Sequence, residues 1–190
     1  MQPLRKEFTI EHRKFCRSLR FDYAYRKVRD SQRSKSYRWE DWARNSDETR
    51  QHHFESKRQA KSYARLAAKV GLAHMAKLRG MSEQEAAAIW KGFRVYMTTE
   101  QERSCCGSLA GVYFAKWGWT DWIICHEVAH WLDHHDAHYQ KESRAGHGPK
   151  WRGWYLWLLQ EIGGEHKQGY DLETLKAGLA LHGMRAIMPS

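Results

Sequence analysis

The stretch His126-Glu127-Val128-Ala129-His130 decides how the rest of this sequence is interpreted. On a helix, residues four positions apart lie one above the other with Cβ atoms about 5–6 Å apart, so both imidazoles can reach one zinc ion. Glu127 then projects beside the ion, where a carboxylate can accept a proton from the attacking water and return it to a leaving amine. The plainer interpretation is a buried helix whose two histidines are hydrogen-bonded core residues.

A third zinc ligand is predicted downstream, because a catalytic zinc site uses three protein ligands and keeps one position open. His147 lies in the glycine-flanked segment Ala145-Gly146-His147-Gly148-Pro149-Lys150-Trp151. Pro149 suits the first turn of a helix, so His147 is expected at a helix entrance. This position favours His147 as the third ligand.

Two other residues are alternatives to His147 as the third zinc ligand. His134 follows His130 by four residues, but three ligands on one straight helix would be nearly collinear and would not converge on a tetrahedral ion. Asp136 follows His130 by six residues, which is where metzincin-like proteins carry their third ligand. That arrangement normally needs a glycine three residues before the third ligand to break the helix. Asp133 occupies that place. Both rivals are therefore less favoured than His147.

Two blocks, HEVAH at 126–130 and GHGPKW at 146–151, have sixteen residues between His130 and His147. Together they resemble the active-site core of the SprT-like zinc metallopeptidases, the family that includes Spartan. The resemblance spans about 105–162. It implies a zinc cofactor, Glu127 as the catalytic general base, and the metal ligands His126, His130 and His147.

Composition indicates a globular chain that lacks targeting signals. The 190 residues are 42% hydrophobic and include ten Trp, enough for one domain with a real core. The first ten residues are charged, and about eighteen consecutive apolar residues occur nowhere, so neither a signal peptide nor a membrane span is predicted. The four cysteines contain no C-x-x-C pair. We therefore expect a cytoplasmic protein without a membrane partner. Association with the nucleoid and packaging in a virion are alternative locations.

Positive charge is concentrated in the N-terminal third. Residues 1–65 hold 18 Lys and Arg against 9 Asp and Glu, whereas 66–190 hold 14 against 13. Phe15, Leu19 and Tyr23 follow helical spacing among basic residues, and cations interleaved with aromatics suit nucleic-acid binding. We expect a basic helical extension over 1–47 that contacts DNA, and a SprT-like domain over 48–190. A solvated helical face and an acidic protein partner are alternatives.

The remaining patterns predict a mixed α+β fold with a zincin-like core. Apolar spacing indicates a helix from Asp47 to about Arg79, and Ser82-x-x-Glu85 reads as a capping box that opens a short helix. Thr120 or Asp121 suits the N-cap of the motif helix. A small, mostly antiparallel sheet is predicted before the motif helix, from the runs 94–98 and 111–117.

The predicted function is zinc-dependent hydrolysis of peptide bonds. The resemblance, together with the N-terminal charge, implies proteins associated with DNA as substrates. Two other classes stay open: a nucleic-acid-binding or virion-associated structural protein with a non-catalytic zinc site, and a zinc hydrolase of non-peptide amides. Four side chains are candidates for stabilising a developing oxyanion: Tyr139, Arg144, Arg152 and Tyr155.

Overall fold

A computed structural model describes residues 33–46, 49–99, 105–142, 146–164 and 167–190. The described residues form six helices: α1 (Arg33–Ala43), α2 (Lys57–Arg79), α3 (Glu83–Gly92), α4 (Asp121–Tyr139), α5 (Pro149–Ile162) and α6 (Leu172–Leu181). They also form three short strands: β1 (Arg94–Met97), β2 (Cys106–Ser108) and β3 (Gly111–Phe114). A 3-10 turn, Lys116–Gly118, precedes α4. The protein is mixed α+β, as predicted.

Local capping signals set the starts of several helices. Ser56 and Gln59 form a capping box that begins α2 at Lys57, ten residues later than the apolar spacing predicted. The predicted box of Ser82 and Glu85 is confirmed at the start of α3. Thr120 is the N-cap of the motif helix α4, and its hydroxyl accepts the Ile123 N–H at 3.2 Å.

The sheet is mixed, whereas the sequence predicted a mostly antiparallel one. Strand β3 lies in the centre, antiparallel to β2 and parallel to β1, with Val95 opposite Val112. The chain crosses from β1 to the far side of β3, forms β2 there and returns through a tight hairpin. Because β2 reverses direction, β3 runs the same way as β1. The apolar runs marked the strands, but strand neighbours depend on this crossover.

Helix α4 is the centre of the core. It packs against α2, α5 and the sheet, and every residue from Asp121 to Asp133 is buried. A Cβ at Gly71 of α2 would overlap the side chain of Leu132, so the glycine lets the two helices approach closely. The largest fully buried side chains are aromatic: Trp39, Trp122, Trp131, Trp151 and Trp154.

Helix α1 lies within the predicted N-terminal extension but contributes to the same core. Its Trp39 and Ala43 are at most 1% exposed and belong to the buried cluster that includes α4. A Cβ at Gly178 of α6 would contact the rings of Trp39 and Trp42, which shows how closely α1 and α6 pack. The division at residue 47 stays a prediction. The predicted basic helix around Phe15, Leu19 and Tyr23 lies outside the described residues.

Candidate metal centre

Three histidines converge beside α4. His126, His130 and His147 are 3%, 8% and 6% exposed, and one ring nitrogen from each lies within 4.8 Å of the others. The Nε2 atoms of His126 and His147 are 3.3 Å apart. These three side chains could hold a metal ion, and no other such group of three occurs among the residues that the structure describes.

The arrangement fits a tetrahedral ion. Nitrogen ligands at about 2.0–2.1 Å from a tetrahedral zinc lie about 3.3 Å from one another. The Nε2 atoms of His126 and His147 already have this separation. Three neutral imidazoles also form a donor set that suits a borderline ion such as Zn²⁺. The site therefore offers three nitrogen ligands that could converge on one metal ion and leave a fourth position for another ligand.

Helix geometry and an arginine fix the three ligands. His126 and His130 are one turn apart on α4, whereas His147 lies in the turn before α5. Arg152, one turn into α5, donates to the His147 carbonyl at 2.6 Å and to the Arg185 carbonyl at 2.7 Å. The ring of Trp151 lies 4.6–4.9 Å from all three imidazole rings. The loop that carries His147 is thus held by side chains of the helix that follows it.

The rival ligands lie elsewhere. The Asp136 carboxylate accepts hydrogen bonds from Arg79 at 2.8 Å, from Gln140 at 2.8 Å and from Trp154 at 3.2 Å. It is therefore engaged in a structural ion pair at the far end of α4. His134 is partly exposed and is not in the cluster of three. Of the three candidates for the third position, the structure brings only His147 to the other two.

The Asp136 cluster gives a stability prediction. Burial disfavours the charged carboxylate, but the hydrogen bonds from Arg79 and Gln140 outweigh burial and lower the pKa of Asp136. Asp136→Asn should reduce the free energy of unfolding by about 2–4 kcal/mol at pH 7. A carboxylate whose pKa is lowered in the folded state stabilises the fold above its unfolded pKa and loses this effect in acid.

Urea unfolding of the wild type and of Asp136→Asn at pH 7, 5 and 4 measures this effect. The difference in unfolding free energy should be equal at pH 7 and 5 and should begin to narrow near pH 4. Glu173→Gln is the control, because Glu173 pairs with Lys176 at an exposed position and its loss should cost less than about 0.5 kcal/mol. Equal losses from the two substitutions would contradict the prediction.

Glu127 is buried beside the histidines. It is 7% exposed, and burial raises the pKa of its carboxyl to about 7, although the neighbouring His126 works in the opposite direction. The backbone N–H of Gly107 hydrogen-bonds to this carboxyl and favours its charged form. A carboxyl that titrates near neutral pH can both accept and return a proton. Its position on α4 suits the general-base role that the motif predicted.

Strand β2 lies directly against α4 at this point. A Cβ at Gly107 would overlap the backbone carbonyl of Glu127 and would lie 3.0 Å from the Cβ of His130. Gly107→Ala should therefore push β2 away from the motif helix and lower the free energy of unfolding by about 1–3 kcal/mol. Gly92→Ala is the matched control, because a Cβ at Gly92 contacts nothing. Chemical denaturation of both variants tests this prediction. An unchanged free energy of unfolding in Gly107→Ala would show that β2 lies farther from α4 than described here.

Two of the predicted oxyanion candidates donate hydrogen bonds to backbone carbonyls. Arg152 is bound to two backbone carbonyls, and the Tyr139 hydroxyl donates to the carbonyl of Arg79 at 3.2 Å. Tyr155 is fully buried, with its ring 5.5 Å from that of His126. Arg144 lies outside the described residues. Arg152 and Tyr139 are thus engaged with backbone carbonyls, whereas the Tyr155 hydroxyl is buried close to Glu40.

Helix α1 contributes two residues that the sequence did not predict. The ring of Tyr37 stacks on His126 at 5.9 Å and meets His147 edge-on at 5.5 Å, while 38% of Tyr37 remains exposed. Arg33 donates to its hydroxyl at 3.1 Å. The second residue, Glu40, hydrogen-bonds to Nδ1 of His126. No local signal pointed to either residue, because both lie more than eighty residues before the motif.

The chain was compared with protein-family models, with curated proteins and with solved structures, and no match was found. Among the described helices, none combines the length and the apolar composition that spanning a membrane requires. The geometry of the three histidines and Glu127 is therefore the basis for a function.

Proposed function

We propose that this chain is a zinc-dependent peptidase of SprT-like type with a zincin-like core, in which His126, His130 and His147 hold the ion and Glu127 is the general base. The proposal depends on the convergence of three buried imidazoles, two from α4 and one from the turn before α5, beside the buried carboxyl of Glu127. A bound zinc ion would supply Lewis acidity, which polarises a carbonyl and lowers the pKa of water. Glu127 would accept the proton of the attacking water and deliver it to the leaving amine.

The proposed substrate is an extended peptide that pairs with β2. Among the described strands β2 pairs only with β3, so no described strand covers its other edge. Gly107 of this strand packs closely against Glu127, the proposed general base, which supports this pairing. Backbone pairing would position a scissile carbonyl while it demands little of the substrate side chains. Proteins with unfolded or extended segments are therefore the proposed substrate class.

We further propose that the substrates are bound to DNA, on the basis of charge. Helix α2 contains no acidic residue and exposes Lys57, Lys61, Arg65 and Lys69 in one row at intervals of four. Like charges at this spacing destabilise a helix unless a polyanion neutralises them. This row adds to the positive charge of residues 1–32, and those residues lie outside the described part of the chain. DNA binding whose affinity does not fall as salt rises would contradict this part of the proposal.

Hydrolysis of an unfolded protein tests the proposal directly. The chain, loaded with one equivalent of zinc, is incubated with an unfolded casein, and new N-termini are identified by mass spectrometry. Cleavage should disappear after a chelator removes the metal and return when zinc is restored. A small amide substrate is assayed in parallel. Cleavage of the small amide without cleavage of casein would instead favour a hydrolase of non-peptide amides.

A second candidate is a nucleic-acid-binding protein with a non-catalytic zinc site. The burial of the site favours it, because all three histidines and Glu127 are less than a tenth exposed and Tyr37 lies over two of them. A site covered in this way admits a substrate carbonyl poorly, although three histidines leave the fourth position of a tetrahedral ion without a protein ligand. Stable zinc binding without hydrolysis of any substrate, with or without DNA, would support this second candidate.

A further inference from the structure

Helix α1 places a buried carboxylate against the proposed metal centre. The Glu40 side chain is 4% exposed, and its Oε1 hydrogen-bonds to Nδ1 of His126, a residue 86 positions later in the chain. A carboxylate at this depth is costly unless it has a strong hydrogen-bonding partner. The imidazole of His126 is such a partner. Both side chains are buried, so the contact lies inside the site and not at the protein surface.

The two ring nitrogens of His126 face different neighbours. Nε2 lies 3.3 Å from Nε2 of His147, on the side where the ligands converge, whereas Nδ1 faces Glu40. A ring that donates its Nδ1 proton to Glu40 keeps the lone pair of Nε2 free for a metal ion. A ring with the proton on Nε2 would instead point that proton into the site.

We propose that Glu40 is a positioning residue that holds His126 in the Nδ1–H tautomer with Nε2 turned toward the metal. The inference rests on the proposed metal centre and goes beyond it, because it assigns the N-terminal helix α1 a part in metal binding. The carboxylate also raises the basicity of the ring that binds the metal. Loss of such an outer partner typically weakens metal affinity by about 10–100-fold.

Tyr37, one turn before Glu40 on α1, supports this assignment. Its ring stacks on the same imidazole at an interplanar angle of 21°. Trp39, between them in sequence, is fully buried and packs against Trp122 of α4 at 5.6 Å. The core contact thus anchors α1 to α4, and the anchored helix presents the Glu40 carboxylate to Nδ1 of His126.

Competition with a chromophoric chelator would measure zinc affinity for the full chain and for two variants, Glu40→Ala and Glu40→Gln. We expect an affinity about 10–100-fold weaker for Glu40→Ala. Glu40→Gln should lie between the wild type and Glu40→Ala, because the amide keeps an acceptor oxygen but lacks the charge. Asp136→Asn is the matched control: it removes another buried carboxylate, which lies on α4 itself, and lowers stability, yet its zinc affinity should stay within about twofold of the wild type.

The tautomer of His126 gives a readout that a merely structural role would not change. In metal-free protein at pH 8, ring ¹⁵N shifts should show the Nδ1–H form in the wild type and a shift toward Nε2–H in Glu40→Ala. Urea unfolding of each variant confirms that it folds. If Glu40→Ala does not fold, the zinc affinity and the tautomer are compared between the wild type and Glu40→Gln.

Three results would overturn the inference. One is an unchanged zinc affinity in the Glu40 variants, and another is an unchanged tautomer. The third is a loss of zinc affinity in Asp136→Asn equal to that in Glu40→Ala, which would show that lower stability by itself weakens zinc binding. Absence of zinc binding by the wild type would remove the proposed metal centre and this inference with it. Zinc binding without peptide hydrolysis would refute only the peptidase activity and would leave Glu40 as a positioning residue.

Discussion

Glu127→Gln should slow peptide hydrolysis by about 10²–10⁴-fold while the protein still binds about one zinc per chain. The amide has nearly the shape of the carboxylate and cannot accept the proton of the attacking water. The three imidazoles are untouched, so the metal content should not change. Rates against an unfolded casein and zinc content by elemental analysis measure the two quantities on the same sample.

Glu83→Gln is the control for this substitution, because Glu83 is exposed in the first turn of α3, away from the histidines. Its hydrolysis rate should stay within about twofold of the wild type. If Glu127→Gln also kept the wild-type rate, the general base would be another residue, and the role that the H-E-x-x-H pattern assigns to Glu127 would be wrong. A parallel loss of zinc and of activity would mean that the variant had damaged the site rather than the proton transfer.

His147→Ala should abolish stable zinc binding. Two histidines on one helix would remain, and a site that has lost a direct ligand should weaken by more than the roughly 10–100-fold that loss of an outer partner costs. Zinc that binds only the folded chain stabilises it by about 2.7 kcal/mol at a free concentration 100 times the Kd. The rise in Tm on addition of zinc should therefore disappear in this variant.

His134→Ala is the matched control for the third ligand. It removes a histidine from the same helix, one turn beyond His130, and this ring is not in the cluster of three. Its zinc content and its zinc-dependent Tm shift should equal those of the wild type. Loss of zinc in His134→Ala with retention in His147→Ala would mean that the ligands are arranged along α4, against the geometry described here.

Local signals in the sequence predicted much of the fold and of the cluster. The caps at Thr120 and Ser82 depend on residues within three positions of each other, and the pair His126 and His130 depends on the pitch of one helix. His147 was favoured because a glycine and Pro149 mark the start of the next helix. Each inference needed only neighbouring residues and the regular geometry of a helix.

The structure differs from the prediction where contacts join distant parts of the chain. The parallel pairing of β1 and β3 depends on a crossover, which apolar alternation does not reveal. Glu40 and Tyr37 lie on a helix that the charge pattern assigned to a DNA-binding extension, because aromatic and basic residues alternate there. Their contacts with His126 depend on Trp39 inserting into the core, and a short periodic pattern does not specify which helix it will meet.

The hydrogen bonds of Arg152 have a consequence for biosynthesis. This side chain connects the carbonyl of His147 to that of Arg185, and the N–H of Ile187 bonds to the carbonyl of Pro149 at 2.9 Å. A nascent chain that has exposed only the H-E-x-x-H helix from the ribosome lacks both the third imidazole and the segment that fixes its loop. A ribosome-bound intermediate should therefore bind zinc weakly, and the metal centre should assemble only after about fifty further residues have emerged.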